Sequence, residues 1–258
     1  MVPVSRGEVW ADDAGGDGLP LVLLHPGVGD SSVWDPLLPA LVAGRRVVRY
    51  DVRGYGRSPA PTAEYSPVRD LAEVLDHFEI ERAVLVGSSM GGATSVDFAL
   101  EAPERVAGLA LLVPGVSGYD GLATGEFFER LETLAKAGDT DTIVRLALRA
   151  WAQAGGGTPE SDPAAAALCR AVLPAWFSNI GHQLTGPPAF DRLGEISAPT
   201  LLALGEQDRP EVVRCNEEMA ERIPGCRLVR LPASDHYPTL REPEHVVRLI
   251  EELYAEAA

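Results

Sequence analysis

The sequence is that of an acidic protein with an ordinary globular composition. It has 258 residues, 46% hydrophobic and 23% charged, and its 38 acidic against 22 basic residues give a formal net charge of -16. This length allows one large domain with an inserted subdomain, and the charge disfavours nucleic acid and anionic membranes as partners. No apolar run reaches the roughly 18 residues of a membrane span, and Met1 to Asp13 lacks the pattern of a secretory signal.

The cysteines narrow the class of protein further. Cys169, Cys215 and Cys226 are odd in number and lack metal-ligand spacing, which is typical of free thiols in a reducing compartment. The sequence contains no phosphate-binding loop, dinucleotide fingerprint or metal-binding motif. We therefore expect a cytoplasmic protein, monomeric or homodimeric, that needs no metal or cofactor and whose partner is a small-molecule substrate.

Strand patterns run through most of the chain. Val4 to Ala11 predicts a weak strand or the remains of a hairpin, and turn-forming residues follow from Asp12. Six later apolar runs lack polar alternation, which predicts strands covered on both faces, as in a parallel sheet. These runs are Leu21 to Leu24, Val47 to Tyr50, Ala83 to Val86, Leu109 to Val113, Leu201 to Leu204 and Leu228 to Leu231.

Helical patterns alternate with these strands. They cover Val33 to Val42, Pro67 to Phe78, Glu211 to Ile223 and Glu244 to Tyr254. Ser66 is a suitable N-cap for the second, with proline at its first helical position. Alternating strands and helices predict an α/β fold with an open, mostly parallel sheet flanked by helices.

One region breaks the alternation. From Ser117 to Leu193 there are only helical patterns, and Pro174 should kink or split the third of them. We interpret residues 117–193 as an inserted helical cap, and residues 1–116 and 194–258 as the core domain. Because the insert follows the strand ending at Val113, it should lie over the carboxyl ends of the strands, where open α/β sheets bind ligands.

A strand, a sharp turn and a helix meet at Ser89. The pattern Gly87-x-Ser89-x-Gly91 follows the apolar run from Ala83 and precedes a helical pattern that ends at Pro103. Glycines on both sides of a serine permit a strained turn that exposes the hydroxyl. Ser89 is therefore a candidate nucleophile, and it needs a histidine base oriented by an acid.

The acid and the histidine that Ser89 needs follow the last two apolar runs. Asp208 lies in the loop after the fifth run and His236 in the loop after the sixth, so the chain order is Ser89, Asp208, His236. Two other acids remain alternatives to Asp208. Glu206 shares its loop, and Asp120 follows the fourth run.

This order of residues, with Gly-x-Ser-x-Gly between strand and helix, resembles the α/β-hydrolase fold over nearly the whole chain. Two further segments are similar to that family. His25 to Asp30 lies where the family places its oxyanion-hole loop, and Asp51 to Ser58 is similar to its Asp-x-Arg-Gly-x-Gly-x-Ser turn. The resemblance implies an oxyanion hole formed by the amides of Gly27 and Met90, with Val28 as the alternative to Gly27.

The resemblance also implies two-step acyl transfer by the triad Ser89, His236 and Asp208. The leading hypothesis is a cofactor-independent serine hydrolase that cleaves a small ester or lactone, similar to small carboxylesterases and enol-lactonases. Carbon–carbon bond hydrolases, haloperoxidase-like or perhydrolase-like enzymes and acyl transferases of the same fold remain alternatives. A non-catalytic, receptor-like ligand-binding protein is an alternative of another class.

The residues of the substrate pocket are predicted only from their places in the insert and near the oxyanion loop. Aromatic residues of the cap lie at helical spacing and are packing residues by default, but one or two are expected to line an apolar acyl pocket. His25 is expected chiefly to hold its loop in shape, and Asp235, beside His236, is interpreted as loop structure. The residues predicted for the pocket are His25, Val28, Trp34, Trp151, Trp176 and Phe177.

Overall fold

The computed structural model describes residues 1–122 and 125–258, and a seven-stranded sheet forms its centre. The strands are β1 (Val2–Val4), β2 (Gly7–Val9), β3 (Ala11–Asp13), β4 (Leu21–Leu24), β5 (Val47–Tyr50), β6 (Ala83–Ser88), β7 (Val106–Leu112), β8 (Thr200–Gly205) and β9 (Arg227–Leu231). The sheet order is β3-β5-β4-β6-β7-β8-β9, and β1 and β2 form a separate antiparallel pair. Since only β3 is antiparallel to its neighbour, the prediction of a mostly parallel sheet is confirmed.

β4 shows why the apolar runs are continuous. Leu21 and Leu23 belong to the core on one face of the sheet, and Val22 and Leu24 to the core on the other. All four are at most 1% exposed. Helices cover both faces, so no position of the strand faces water and none is polar.

The start of the chain contains one more strand than its pattern indicates. β1 and β2 form an antiparallel hairpin, which agrees with the hairpin alternative for Val4 to Ala11. β3 begins at Ala11 and includes Asp12 and Asp13, which are predicted as a turn. Ala11–Asp13 has no apolar alternation because it forms the edge of the sheet and pairs with β5 on one side only. Its Asp13 binds Arg46 through an ion pair with an N–O distance of 2.7 Å.

Nine helices surround the sheet in the part of the chain that is described. They are α1 (Leu38–Leu41), α2 (Pro67–His77), α3 (Met90–Glu101), α4 (Gly125–Lys136), α5 (Thr140–Trp151), α6 (Pro163–Ser178), α7 (Pro210–Arg222), α8 (Pro238–Arg241) and α9 (Pro243–Ala257). Ser66 caps α2 by accepting a hydrogen bond from the Arg69 amide. Within the described ranges, no helix combines the length and the apolar character needed to cross a membrane.

The helix predicted from Val33 to Val42 is not continuous. A 3-10 turn over Ser31–Trp34 comes first, and α1 begins only at Leu38. Pro36, which lies between them, has no amide hydrogen to continue the helical ladder. The prediction of one helix is therefore wrong, although both pieces bury the apolar residues of the pattern.

Helices α4, α5 and α6 fall within residues 117–193, the predicted cap, and pack around a small core of their own. Pro174 lies inside α6, which continues to Ser178, so the expected split does not occur. Val172 and Ala175 are buried on either side of Pro174, and this packing holds the helix together where one backbone hydrogen bond is missing. Val28 and Tyr237 of the remaining chain join this core.

Candidate active site

Ser89 occupies the turn between β6 and α3 in a strained conformation. Its φ of 47° and ψ of -108° lie in a region that residues with a side chain rarely adopt. Neither Gly87 nor Gly91 has a left-handed φ, but a Cβ on Gly87 would meet the Gly91 carbonyl oxygen at 2.5 Å. A Cβ on Gly91 would collide with the carbonyl oxygen of Leu24. The glycines thus permit close backbone approach, and the strained conformation is that of Ser89 itself.

The three side chains predicted as a triad form one chain of hydrogen bonds. Nε2 of His236 lies 2.7 Å from Oγ of Ser89, and its Nδ1 lies 2.5 Å from Oδ2 of Asp208. A carboxylate only accepts, so Nδ1 carries the proton and Nε2 is left to accept the serine hydroxyl. His236 is 5% exposed and Asp208 7% exposed, so the pair is largely screened from water.

The alternative acids lie elsewhere. Glu206 is exposed and pairs with Arg230 at 3.7 Å, and Asp120 is exposed in a 3-10 turn after β7. In the described part of the chain, neither carboxylate has a hydrogen bond to His236. Asp208 is the acid that the geometry places on the imidazole.

Backbone hydrogen bonds hold the loops that carry the acid and the histidine. The Glu206 amide donates to the carbonyl oxygen of Leu231, and the Gln207 amide donates to that of Ser234. The His236 amide donates to the carbonyl oxygen of the last residue of α5 at 3.2 Å. The histidine is therefore fixed both to the neighbouring loop of the sheet and to the insert.

Asp235 supports this loop from behind. Its fully buried carboxylate accepts hydrogen bonds from the amides of Ala154 and Tyr237, both at 2.9 Å. Arg241 pairs with Asp235 at 2.9 Å and also with Asp162, the N-cap residue of α6. We call Asp162, Arg241 and Asp235 the acid–arginine cluster. These contacts orient the loop, whereas the imidazole of the next residue is oriented by another acid.

Both residues of the predicted oxyanion hole lie at the cavity wall. A Cβ on Gly27 would lie 3.7 Å from Sδ of Met90, so the two residues adjoin. Trp176 Nε1–H donates to the Gly27 carbonyl oxygen at 2.6 Å, and the Tyr237 hydroxyl donates to that of Val28 at 3.1 Å. No acceptor within the described chain bonds the Gly27 or Val28 amide. The preference for Gly27 over Val28 therefore remains a prediction.

His25 is buried behind the oxyanion loop and does not line the cavity. Its Nδ1–H donates to the Pro26 carbonyl oxygen at 2.8 Å, and its Nε2 accepts the Val52 amide at 3.0 Å. Burial lowers the pKa of His25, in keeping with a neutral ring. Its prediction as a pocket residue is wrong, because one ring nitrogen bonds within the oxyanion loop and the other joins that loop to the turn after β5.

A cavity of about 440 Å³ lies in front of Ser89. Its apolar side chains come from the oxyanion loop, the start of α3 and the insert, and are Val28, Met90, Phe128, Trp151, Trp176 and Ile180. Its polar side chains, besides Ser89 and His236, are Tyr55, Asn179 and Gln183. Three predicted pocket residues, Val28, Trp151 and Trp176, lie here.

Two other residues predicted for the pocket, Trp34 and Phe177, do not line the cavity. Trp34 is completely buried under the opposite face of the sheet, among residues of β4 and α9, because its 3-10 turn directs it into that core. Phe177 packs against the core of the insert. Adjacent residues of a helix point about 100° apart, so Trp176 and Phe177 cannot both face the cavity.

The sequence interpretation missed several residues of the wall. Tyr55 belongs to the turn from Asp51 to Ser58, and its ring lies 5.0 Å from that of His25. Asn179 and Gln183 follow α6 and do not belong to its apolar pattern, so periodicity does not indicate their direction. Phe128 and Ile180 do lie within helical patterns of the insert, but the spacing does not show that they face a cavity.

The cysteines lie away from this site. Burial raises the pKa of Cys169 and Cys215 to about 12 and that of Cys226 to about 11. Each is therefore a protonated thiol at neutral pH. In residues 1–122 and 125–258, no three His, Cys, Asp or Glu side chains are grouped to hold a metal ion.

Known proteins are similar to this chain over most of its length. "Putative carbamate hydrolase RutD" of Variovorax paradoxus is 34% identical over 236 residues, which cover 86% of each protein. The solved structure of Est816, described as an N-acyl homoserine lactone degrading enzyme, is 27% identical, covers 97% of this chain and 98% of that chain, and has a TM-score of 0.80.

The enol-lactonase of Burkholderia xenovorans LB400 has the same fold, with a TM-score of 0.81 at 24% identity and 98% coverage of both chains. The model of the Alpha/beta hydrolase family matches residues 21–249, a range that contains the sheet from β4 to β9, the insert and the Ser89 site. The chain is therefore a member of the alpha/beta hydrolase family.

Proposed function

We propose that this protein is a serine hydrolase that cleaves a small ester or lactone through an acyl-enzyme, without a cofactor. The observation that carries the proposal is the continuous hydrogen-bond chain Asp208–His236–Ser89, which ends at a cavity lined mainly by apolar side chains. A hydroxyl bonded to a neutral imidazole has the base it needs for attack on a carbonyl carbon.

In this proposal each group of the triad has one role. Ser89 Oγ forms a bond to the carbonyl carbon while Nε2 of His236 takes its proton, and Asp208 holds the ring and stabilises the resulting cation. The imidazolium then gives that proton to the leaving alkoxide. Water, deprotonated by the same nitrogen, attacks the acyl-enzyme and releases the acid and Ser89.

The oxyanion of each tetrahedral intermediate would be bound by amides at the wall. Met90 follows the nucleophile at the N-terminus of α3, where the first amides of a helix lack partners within it. The Gly27 amide provides the second donor. Removing one such donor typically costs about 3 kcal/mol of transition-state stabilisation.

Labelling with a serine-reactive fluorophosphonate tests the nucleophile. Intact-protein mass spectrometry should find one adduct on the wild type and none on Ser89→Ala. Ser88→Ala is the matched control, because Ser88 precedes the nucleophile but is buried within β6, and it should label like the wild type. Equal labelling of the wild type and Ser89→Ala would refute the assignment.

A substrate screen separates the hydrolase from its alternatives. We expect turnover of short 4-nitrophenyl esters or of lactones, and its loss in Ser89→Ala. Turnover of diketones alone would favour carbon–carbon bond hydrolysis. Saturable binding of a small ligand, with no turnover of any compound and no adduct, would instead favour the receptor-like alternative.

A further inference from the structure

The cavity in front of Ser89 has no permanently charged side chain among its described lining residues. Its imidazole, that of His236, is already bonded to Ser89 and Asp208. Burial raises the pKa of Tyr55, so its hydroxyl stays neutral. A substrate in this cavity thus meets only neutral polar groups besides the triad.

Few of these neutral groups are available to a ligand. The Asn179 side chain is already used, because its oxygen accepts the Tyr65 hydroxyl and its nitrogen donates to the carbonyl oxygens of Arg53 and Ala175. Tyr55 is 6% exposed, and its hydroxyl makes no hydrogen bond within the described chain. The Gln183 side chain is exposed at the wall. Among the hydroxyl and carboxamide side chains of the lining other than Ser89, those of Tyr55 and Gln183 are therefore available.

The rest of the wall is apolar and partly aromatic. The rings of Trp151 and Trp176 meet edge to face with centroids 5.9 Å apart, and Phe128 and Met90 lie in the same lining. Such surfaces gain free energy by removing apolar groups from water, and their apolar atoms cannot replace the hydration of an anion.

Two arginines with little exposure to water, which could neutralise an anion, are already paired. Arg53 makes two hydrogen bonds of 2.7 Å to the carboxylate of Asp70, and Arg241 belongs to the acid–arginine cluster. Neither guanidinium lines the cavity. The net charge of -16 also repels anions from the surface.

We infer that this site selects uncharged esters or lactones with an apolar acyl group, and that it rejects acyl groups that end in a carboxylate. The inference rests on the proposed function, because it concerns the substrate of the same nucleophile. It is carried by the neutral lining of the cavity and by the pairing of both arginines described above.

Three 4-nitrophenyl esters with the same acyl skeleton test it. They are the hexanoate, the mono-ester of adipic acid, which ends in a carboxylate, and the methyl ester of that adipate, which is longer but neutral. At neutral pH we expect kcat/KM for the carboxylate to be at least about tenfold below that for either neutral ester, since a carboxylate would enter the cavity without a partner.

The outcomes are distinguishable. If all three esters have equal kcat/KM, the inference alone is overturned. If the carboxylate and its methyl ester are both turned over more slowly than the hexanoate and equally slowly, the inference is also overturned, because size would then explain the rejection. Absence of turnover of all three, together with absence of a fluorophosphonate adduct, would overturn the inference and the proposed function together.

A cation added to the wall provides a second test. Gln183→Arg would place a guanidinium at an exposed position of the lining. We expect the ratio of kcat/KM for the carboxylate to that for its methyl ester to rise at least about fivefold, by charge pairing at the wall. Gln183→Met, similar in length but neutral, should leave this ratio unchanged. An equal ratio in both variants would count against the inference.

Discussion

The cavity has two walls, and they are held in different ways. The sheet-edge wall carries Ser89, Gly27 and His236, whose loops are fixed by backbone hydrogen bonds at the ends of strands. The insert wall, formed by α4 to α6 and the residues after them, contributes Trp151 and Trp176 and is held mainly by apolar packing. The reacting groups thus lie on the sheet-edge wall, whereas the insert wall shapes the cavity. Each wall should respond to mutation in its own way.

The largest effect should come from the sheet-edge wall. In Asp208→Asn the side-chain amide can donate to Nδ1 of His236, which favours the tautomer that carries its proton on Nε2. The base then cannot accept the Ser89 proton, and kcat should fall about 10⁴-fold while the fold is retained. Steady-state kinetics and circular dichroism check both statements.

Asp235→Asn is the matched comparison, because it makes the same change in the neighbouring loop. It should lower kcat by less than about tenfold but destabilise the protein by about 2 kcal/mol, since Arg241 loses one of its two carboxylates. Urea unfolding measures the difference. Similar kinetic losses in the two variants would show that both acids act on the imidazole.

This wall was largely predictable because strand order determines it. Asp208, His236 and Ser89 each follow the carboxyl end of a parallel strand. Because these ends lie at the same edge of the sheet, the three residues must lie at that edge. The strain at Ser89 was attributed to flanking glycines, since a sequence does not reveal that Gly91 faces the carbonyl oxygen of Leu24 on a neighbouring strand. Such contacts are tertiary, and no local pattern encodes them.

The next largest effect should come from the contact between the walls. Trp176→Phe removes the indole N–H that donates to the Gly27 carbonyl oxygen, and the Gly27–Val28 peptide of the oxyanion loop loses its support. We expect kcat to fall about tenfold with a smaller change in KM, because the loss is felt mainly in the transition state. Trp151→Phe makes the same change without removing a carbonyl contact, so its effect on kcat should be smaller.

The comparison is contradicted if Trp151→Phe lowers kcat more than Trp176→Phe. The backbone amide of His236 donates to the carbonyl oxygen of residue 151, and this bond is kept in either side-chain variant. A large loss in Trp151→Phe would therefore mean that its ring, and not the link to Gly27, positions the reacting groups.

Acid should weaken the sheet-edge wall through His25. Its folded-state pKa is lowered from the ordinary 6.5, so the unfolded protein binds the additional proton first as the pH falls. The stability from neutral His25 is complete above that ordinary value and is lost below it, by at most about 1.4 kcal/mol per pH unit. His25→Gln should be less stable at neutral pH, with a shallower fall between about pH 6.5 and pH 5.

Urea unfolding of both proteins across this pH range checks the sign. Glutamine offers an acceptor to the Val52 amide but cannot take up a proton, so the difference in slope isolates the imidazole. Parallel pH curves for the two proteins would mean that His25 does not titrate on unfolding in this range.

The smallest effect should come from the outer part of the insert. Phe128 is 46% exposed at the cavity, so Phe128→Ala should raise KM about threefold and leave stability nearly unchanged. Phe127→Ala is the contrast, because that ring packs edge to face on Trp151 at 5.3 Å and should cost about 1.5 kcal/mol of stability. Michaelis constants and thermal unfolding distinguish them.

The insert wall was less predictable for a physical reason. Helical spacing predicts that a side chain packs against the rest of the protein. It does not show whether that side chain also lines a cavity, as that of Trp176 does, or only packs against a core, as that of Phe177 does. The prediction of Trp34 as a pocket residue is wrong for a similar reason, because its 3-10 turn directs it into the core between the sheet and α9. Asn179 and Gln183 follow the helix, where no periodicity remains.

The acid–arginine cluster has a mechanical consequence. Arg241 lies between Asp162, which caps α6, and Asp235, which precedes the histidine of the site. An outward movement of α6 would leave buried charges unpaired, so the cluster opposes it. Phe128 of α4, which is 46% exposed at the cavity, lies outside the cluster, so a movement there would leave the triad assembled.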